Sequence, residues 1–196
     1  MKPFKDYETT KAYGSREQLP KGGYIMQILN IGEKTNRNGF NYFEISADIA
    51  EGEYKDFFRR DYNSQNGEDK KWKGCFYLTI PTDDGTEADD YRKRSFKTFT
   101  EALEDSNTGY AWDWDETKWK GKYIGGLFSL REWEFNGRTG WSTSWRGVCP
   151  CDDIREGDYK LPQDRPLRNR PAPTPSVRSD SFMQIPEGID ADLPFT

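Results

Sequence analysis

Residues 121–148 read GKYIGGLFSLREWEFNGRTGWSTSWRGV, and the dipeptide Asn136-Gly137 at their centre decides how the rest of the chain is read. Asn-Gly supplies the two left-handed residues of a tight hairpin turn, and apolar and polar residues alternate on both sides of it. Closing that turn in the ordinary way puts Phe128, Leu130, Trp141, Thr143 and Trp145 on one face. The opposite face then carries Leu127, Ser129, Arg131, Trp133, Ser142, Ser144 and Arg146. A four-residue loop would leave the same partition, because side-chain direction depends only on parity. One face is a core; the other is small, basic and aromatic.

Working upstream, Leu19-Pro20-Lys21-Gly22-Gly23 is a loop signal before an apolar run at Tyr24–Ile31, the first expected strand. Residues 33–39 (EKTNRNG) form a turn, and a second strand follows in which Phe43, Ile45, Ala47 and Ile49 alternate with Tyr42, Glu44, Ser46 and Asp48. Glu51-Gly52-Glu53 turns the chain into an expected third strand, Tyr54–Tyr62 (YKDFFRRDY). Residues 72–80 are a short aromatic segment that fits no single template. A helix is expected from about Glu87 to Asp105, with Tyr91, Phe96, Phe99, Ala102 and Leu103 on its apolar face and Thr86 with Asp89 at its start.

Composition agrees with a β-rich domain. Only 33 % of residues are hydrophobic, yet seven Trp, eleven Tyr and twelve Phe supply large rings for a core, and 18 Gly suit turns. No histidine is present, which removes the commonest general base and argues against an enzyme. Cys75, Cys149 and Cys151 are too few to close a zinc site without histidine, and reduced thiols in a cytoplasmic protein are expected. No cofactor is expected. No phosphate-cradling Gly-rich loop is present, and Asp83-Asp84 and Asp89-Asp90 read as loop and helix-start charge rather than a nuclease metal site. Nor does any apolar run reach the length of a membrane span, so no membrane partner is expected.

From Leu161 onward Pro162, Pro166, Pro171, Pro173 and Pro175 alternate with Arg, Ser and Asp, the composition of a flexible linker. The chain thus divides into an extension at 1–18, a folded domain at 19–160 and a disordered linker and acidic tip at 161–196. Residues 1–160 hold 25 basic and 29 acidic residues, whereas the last sixteen hold Glu187, Asp190 and Asp192 and no base. Any polyanion site on the body must therefore be a local patch.

Three strands, a helix and a two-stranded hairpin is the chain order of the OB-fold, a five-stranded barrel. Leu19-Pro20-Lys21-Gly22-Gly23-Tyr24, the turn at Asn38-Gly39, Glu51-Gly52-Glu53-Tyr54 and Trp119-Lys120-Gly121-Lys122 resemble a group of small bacteriophage proteins regarded as single-stranded-DNA-binding proteins. The ending Asp190-Ala191-Asp192-Leu193-Pro194-Phe195 is similar to the acidic tip of bacterial single-stranded-DNA-binding proteins, with Thr196 added. The resemblance implies a mainly β, OB-fold-like barrel with one helix between strands three and four. It further implies single-stranded DNA as ligand during phage replication or recombination, in the host cytoplasm. Replication or recombination proteins would be recruited through Asp190, Asp192, Leu193, Pro194 and Phe195.

Binding single strands without sequence preference needs cations along the phosphates and rings under the bases. The candidates are Trp133 with Arg131 and Arg146 on the last hairpin, Tyr42 on strand two, Phe57, Arg59 and Arg60 on strand three, and Trp72 with Lys73 in the following loop. A protein-interaction or inhibitor module acting on a host enzyme is the alternative, favoured by the acidic body.

Overall fold

The computed structural model describes residues 5–7 and 17–167. Five antiparallel strands, β1 (Gly22–Thr35), β2 (Asn41–Ile49), β3 (Cys75–Thr79), β4 (Tyr123–Phe135) and β5 (Arg138–Cys149), form one sheet in the order β3-β2-β1-β4-β5. Among the described residues three α-helices accompany them, α1 (Phe57–Ser64), α2 (Glu87–Asp105) and the short α3 (Cys151–Glu156), with one 3-10 turn at Glu116–Trp119. The second half of β1 pairs with β2 and its first half with β4, and an irregularity between Ile28 and Asn30 lets the strand bend from one partner to the other.

The Asn136-Gly137 hairpin forms with the expected turn and pairing, but Trp141, expected in the core, is 43 % exposed, while Leu127 and Ser129, expected on the open face, are buried. Asn136 and Gly137 both take positive φ, 50° and 71°, and Phe128 pairs with Trp145, Leu130 with Thr143 and Arg131 with Ser142. A register shift between Leu127 and Phe128 makes Arg146 the extra residue of a bulge. Helix α2 spans Glu87–Asp105 behind its Thr86 cap, whose hydroxyl accepts from Asp89 N–H at 3.2 Å. Its buried face holds Phe99, Ala102 and Leu103, but Tyr91, read as apolar-face, is 73 % exposed.

Two expectations are corrected. Tyr54–Tyr62 is not a strand: Asp56 takes φ 58°, and the chain enters α1 at Phe57. The cause is Asp48, ten residues upstream on β2, whose buried carboxylate accepts from the N–H groups of Ile49 (2.9 Å), Phe58 (3.0 Å) and Arg59 (3.1 Å). It satisfies donors that the start of a helix leaves without intrahelical partners. Burial pushes this carboxyl above its ordinary range, against the opposing pull of the three N–H donors. The third strand of the sheet is instead β3, inside the aromatic segment 72–80.

The second correction concerns closure. The sheet is mainly β and antiparallel, but it is not closed into a barrel, since β3 and β5 are its two edges. They approach through side chains alone, with the rings of Phe76 and Trp145 5.2 Å apart. Beneath this seam lies the core, where Trp145 stacks on Phe128 (5.8 Å, 18°) and Phe76 on Phe99 (6.0 Å, 11°). Trp119 fills the far end against Phe43 and Phe99.

The first residues assigned to the linker are part of this folded unit. Arg165 N–H donates to Leu130 C=O (2.8 Å), Glu132 N–H to Arg165 C=O (2.9 Å), and Leu130 N–H to the Asp164 carboxylate (3.0 Å). Residues 164–166 thereby continue the sheet beside β4 where β1 has ended, and Lys21 pairs with Asp164 at 3.1 Å.

Candidate nucleic-acid interface

Because β3 and β5 do not meet, a cleft of about 1000 Å³ opens between them, walled on a third side by the start of α2. Six cations line it: Lys71, Lys73, Arg92, Arg131, Arg146 and Arg165. No carboxylate does, although the chain holds 34 acidic residues against 29 basic ones. Two of the six are neutralised from behind. Lys73 pairs with Asp61 at 3.0 Å, and Arg92 with Asp89 at 3.4 Å while its guanidinium lies 4.2 Å from the Phe40 ring centroid. Among the described residues no carboxylate comes within 4 Å of the Lys71, Arg131, Arg146 or Arg165 side chains.

The rings in the cleft divide by exposure. Tyr77 on β3 and Tyr91 on α2 are 60 % and 73 % exposed, with faces open to a ligand. Tyr42 stands edge-on against Tyr77 at 5.8 Å and supports it from β2. Trp72 is half-buried; its Nε1–H is shared between the carbonyls of Ala47 and Gly74, each at 3.2 Å, which fixes the indole at the mouth of the cleft. Trp145 shows only an edge, being 7 % exposed and tied by Nε1–H to Gly147 C=O at 2.8 Å.

Of the candidate residues, Trp72, Lys73, Arg131 and Arg146 come together in this cleft, from a loop and two strands. Trp133 lies further along the face of Arg131, 41 % exposed, with its ring over Gly140, where a Cβ would stand 2.6 Å from the indole. Phe57 is in the core, a consequence of the helix that replaces the expected strand. Arg59 and Arg60 are on α1, outside the cleft: Arg59 pairs with Asp56 at 3.3 Å, and Arg60 donates to Lys55 C=O. Tyr77, Tyr91, Arg92 and Arg165 were not among the candidates. Had 75–79 been read as a strand, the alternation of Phe76 and Leu78 with Tyr77 would have pointed Tyr77 outward. Asp190, Asp192, Leu193, Pro194 and Phe195 lie outside the described residues.

No family model matches the chain, and no curated protein matches it either. A second groove, of about 650 Å³, runs between α2 and the loop carrying Trp112 and Trp114. Lys93 and Lys97 line it together with Glu101, Glu104 and Glu116, so carboxylates outnumber cations there and it offers a polyanion no advantage. Among the described residues no three Cys, Asp or Glu side chains converge as a metal-holding group. The Cys149 thiol is pushed up to about 12 by burial and by the nearby Asp153, which leaves it protonated and a poor nucleophile at neutral pH. No described helix is long and apolar enough to cross a membrane.

Proposed function

We propose that the protein binds single-stranded DNA, without chemistry and without strong sequence preference, in the cleft between β3 and β5, and recruits a replication or recombination protein through its acidic tip. The observation that carries this reading is the cleft lining: six cations and no carboxylate on a protein of net charge −5, beside two open tyrosine faces. A strand fits that lining because its phosphates take the cations while its unpaired bases stack on rings, each worth about 1–3 kcal/mol. A duplex keeps its bases stacked internally and would leave Tyr77 and Tyr91 unused. We read the sheet as an OB-fold barrel opened between β3 and β5, because the strand order and the helix between β3 and β4 are those of that barrel.

Intrinsic tryptophan fluorescence tests the reading, since Trp72 stands in the cleft. Titration with oligo-dT should quench emission, and added salt should reverse the quenching. With four cations free of carboxylate partners, the logarithm of affinity should fall against the logarithm of salt concentration with a slope of about −3, at ~0.7 per neutralised phosphate. No quenching at micromolar protein and low salt would refute DNA binding. It would favour the alternative, a protein-docking module, for which the free edge of β5 offers unpaired backbone groups to an incoming strand.

A further inference from the structure

The four unpaired cations are not evenly spread. Arg131 and Arg165 are register partners in a parallel bridge, which places their side chains next to each other on one face. On that same face Ser142 stands opposite Arg131, and Ser144 stands opposite Ser129 one step further along β5. Arg146 follows in the bulge. Arg131 and Arg165 thus stand side by side, and Arg146 lines the same cleft four residues beyond Ser142 along β5.

Like charges placed opposite one another in a sheet destabilise it, and an acidic chain had ample carboxylates with which to neutralise them. None is there among the described residues. Moreover, Nη1 of Arg146 and Oγ of Ser144 are buried without any hydrogen-bond partner, as is Oγ of the adjacent Ser129. Buried donors of this kind are normally satisfied, and an unpaired one costs free energy that a ligand can recover. A guanidinium cluster with neighbouring hydroxyls is suited to one ligand chemistry, the tetrahedral oxyanion.

We infer that Arg131, Arg146 and Arg165, with Ser144, form a single phosphate site that seats one phosphodiester of the bound strand and so fixes where the strand enters the cleft. The inference rests on the proposed single-stranded-DNA reading for its ligand, but the chemistry is that of a phosphate and would also accept a free one. Arg165 makes the segment after α3 a part of the binding surface instead of a connection to the tip.

The test uses the full chain and its R131A, R146A, R146K, R165A and S144A variants. Anisotropy of labelled oligo-dT should show affinity reduced about tenfold by each Arg→Ala change, the scale of one lost charge-assisted hydrogen bond, and a salt slope shallower by ~0.7. R146K should restore the slope but not the full affinity, because an ammonium cannot replace a bidentate fork. In the absence of DNA, R131A and R165A should raise the thermal midpoint by relieving repulsion, and inorganic pyrophosphate should raise that of the wild type more than that of either variant. Oligo-dT binding with slope and affinity unchanged in all three Arg→Ala variants would overturn the phosphate site and leave the DNA reading standing. Stabilisation by pyrophosphate or dTMP without any oligo-dT binding would support the site and overturn the DNA reading. Neither effect would overturn both.

Discussion

Replacing Asp48 by alanine should unfold the start of α1 and destabilise the protein by about 2–4 kcal/mol. The carboxylate takes three backbone N–H groups, two of them from the first turn of α1. Loss of an N-terminal cap alone costs about 0.5–2 kcal/mol. Phe58 N–H, however, belongs to a residue whose ring packs against Phe128 and Trp72, and a buried donor left unsatisfied costs about 1–3 kcal/mol. Arg59 is exposed, so water can replace the carboxylate there at small cost. Asparagine is the informative control. Its amide oxygen can keep the Ile49 and Phe58 bonds, which share one carboxylate oxygen, and it avoids burying a charge whose ionisation burial already opposes. D48N should thus lose about 1 kcal/mol or less. Urea denaturation followed by far-ultraviolet circular dichroism measures both, and amide exchange at Phe58 and Arg59 localises the change. A D48A variant within about 0.5 kcal/mol of wild type, or one equal to D48N, would refute the cap as the reason that 57–64 is a helix.

Gly74→Ala would set a Cβ 2.4 Å from Ala47 C=O and 2.7 Å from the Phe58 ring, and should cost about 1–3 kcal/mol in the same urea assay, the range for overpacking against atoms that cannot yield. Asp89 is held down to about 2, chiefly by the Thr82 N–H, and an acid depressed on folding contributes stability above its ordinary value near 4 that is lost as pH falls through the depressed one. Acid unfolding of wild type should accordingly steepen between about pH 4 and 2, and D89N should flatten that limb in a pH series of thermal midpoints. Truncation after Lys160 should lower stability by about 1–3 kcal/mol in calorimetry, because it removes two backbone hydrogen bonds to β4 and the Asp164 contacts.

The hairpin and α2 were legible because their signals are local. Asn136-Gly137 needs only its own two dihedrals, and Phe99, Ala102 and Leu103 repeat at helical spacing. Helix α1 was not legible for the opposite reason: its cap is a side chain on another element, and Phe57-Phe58 fit a buried strand as well as the core face of a short helix. The cleft follows the same division. Strand parity alone selected Arg131 and Arg146, and the run of lysines around Trp72 selected Lys73. Tyr91 and Arg92 come from a helix whose approach to β5 is purely tertiary, and Pro-rich composition concealed that Arg165 bridges to β4. The acidic body, read from the sequence as an obstacle to polyanion binding, instead surrounds a cleft from which carboxylates are excluded.

Photo-crosslinking of halogenated oligo-dU to the full chain, with peptide mapping, tests that cleft most directly. The account predicts adducts at Trp72, Tyr77 and Tyr91, lost in high salt. Adducts confined to Trp114 or to α1 near Arg59 and Arg60, with Tyr77 and Tyr91 unmodified, would contradict it.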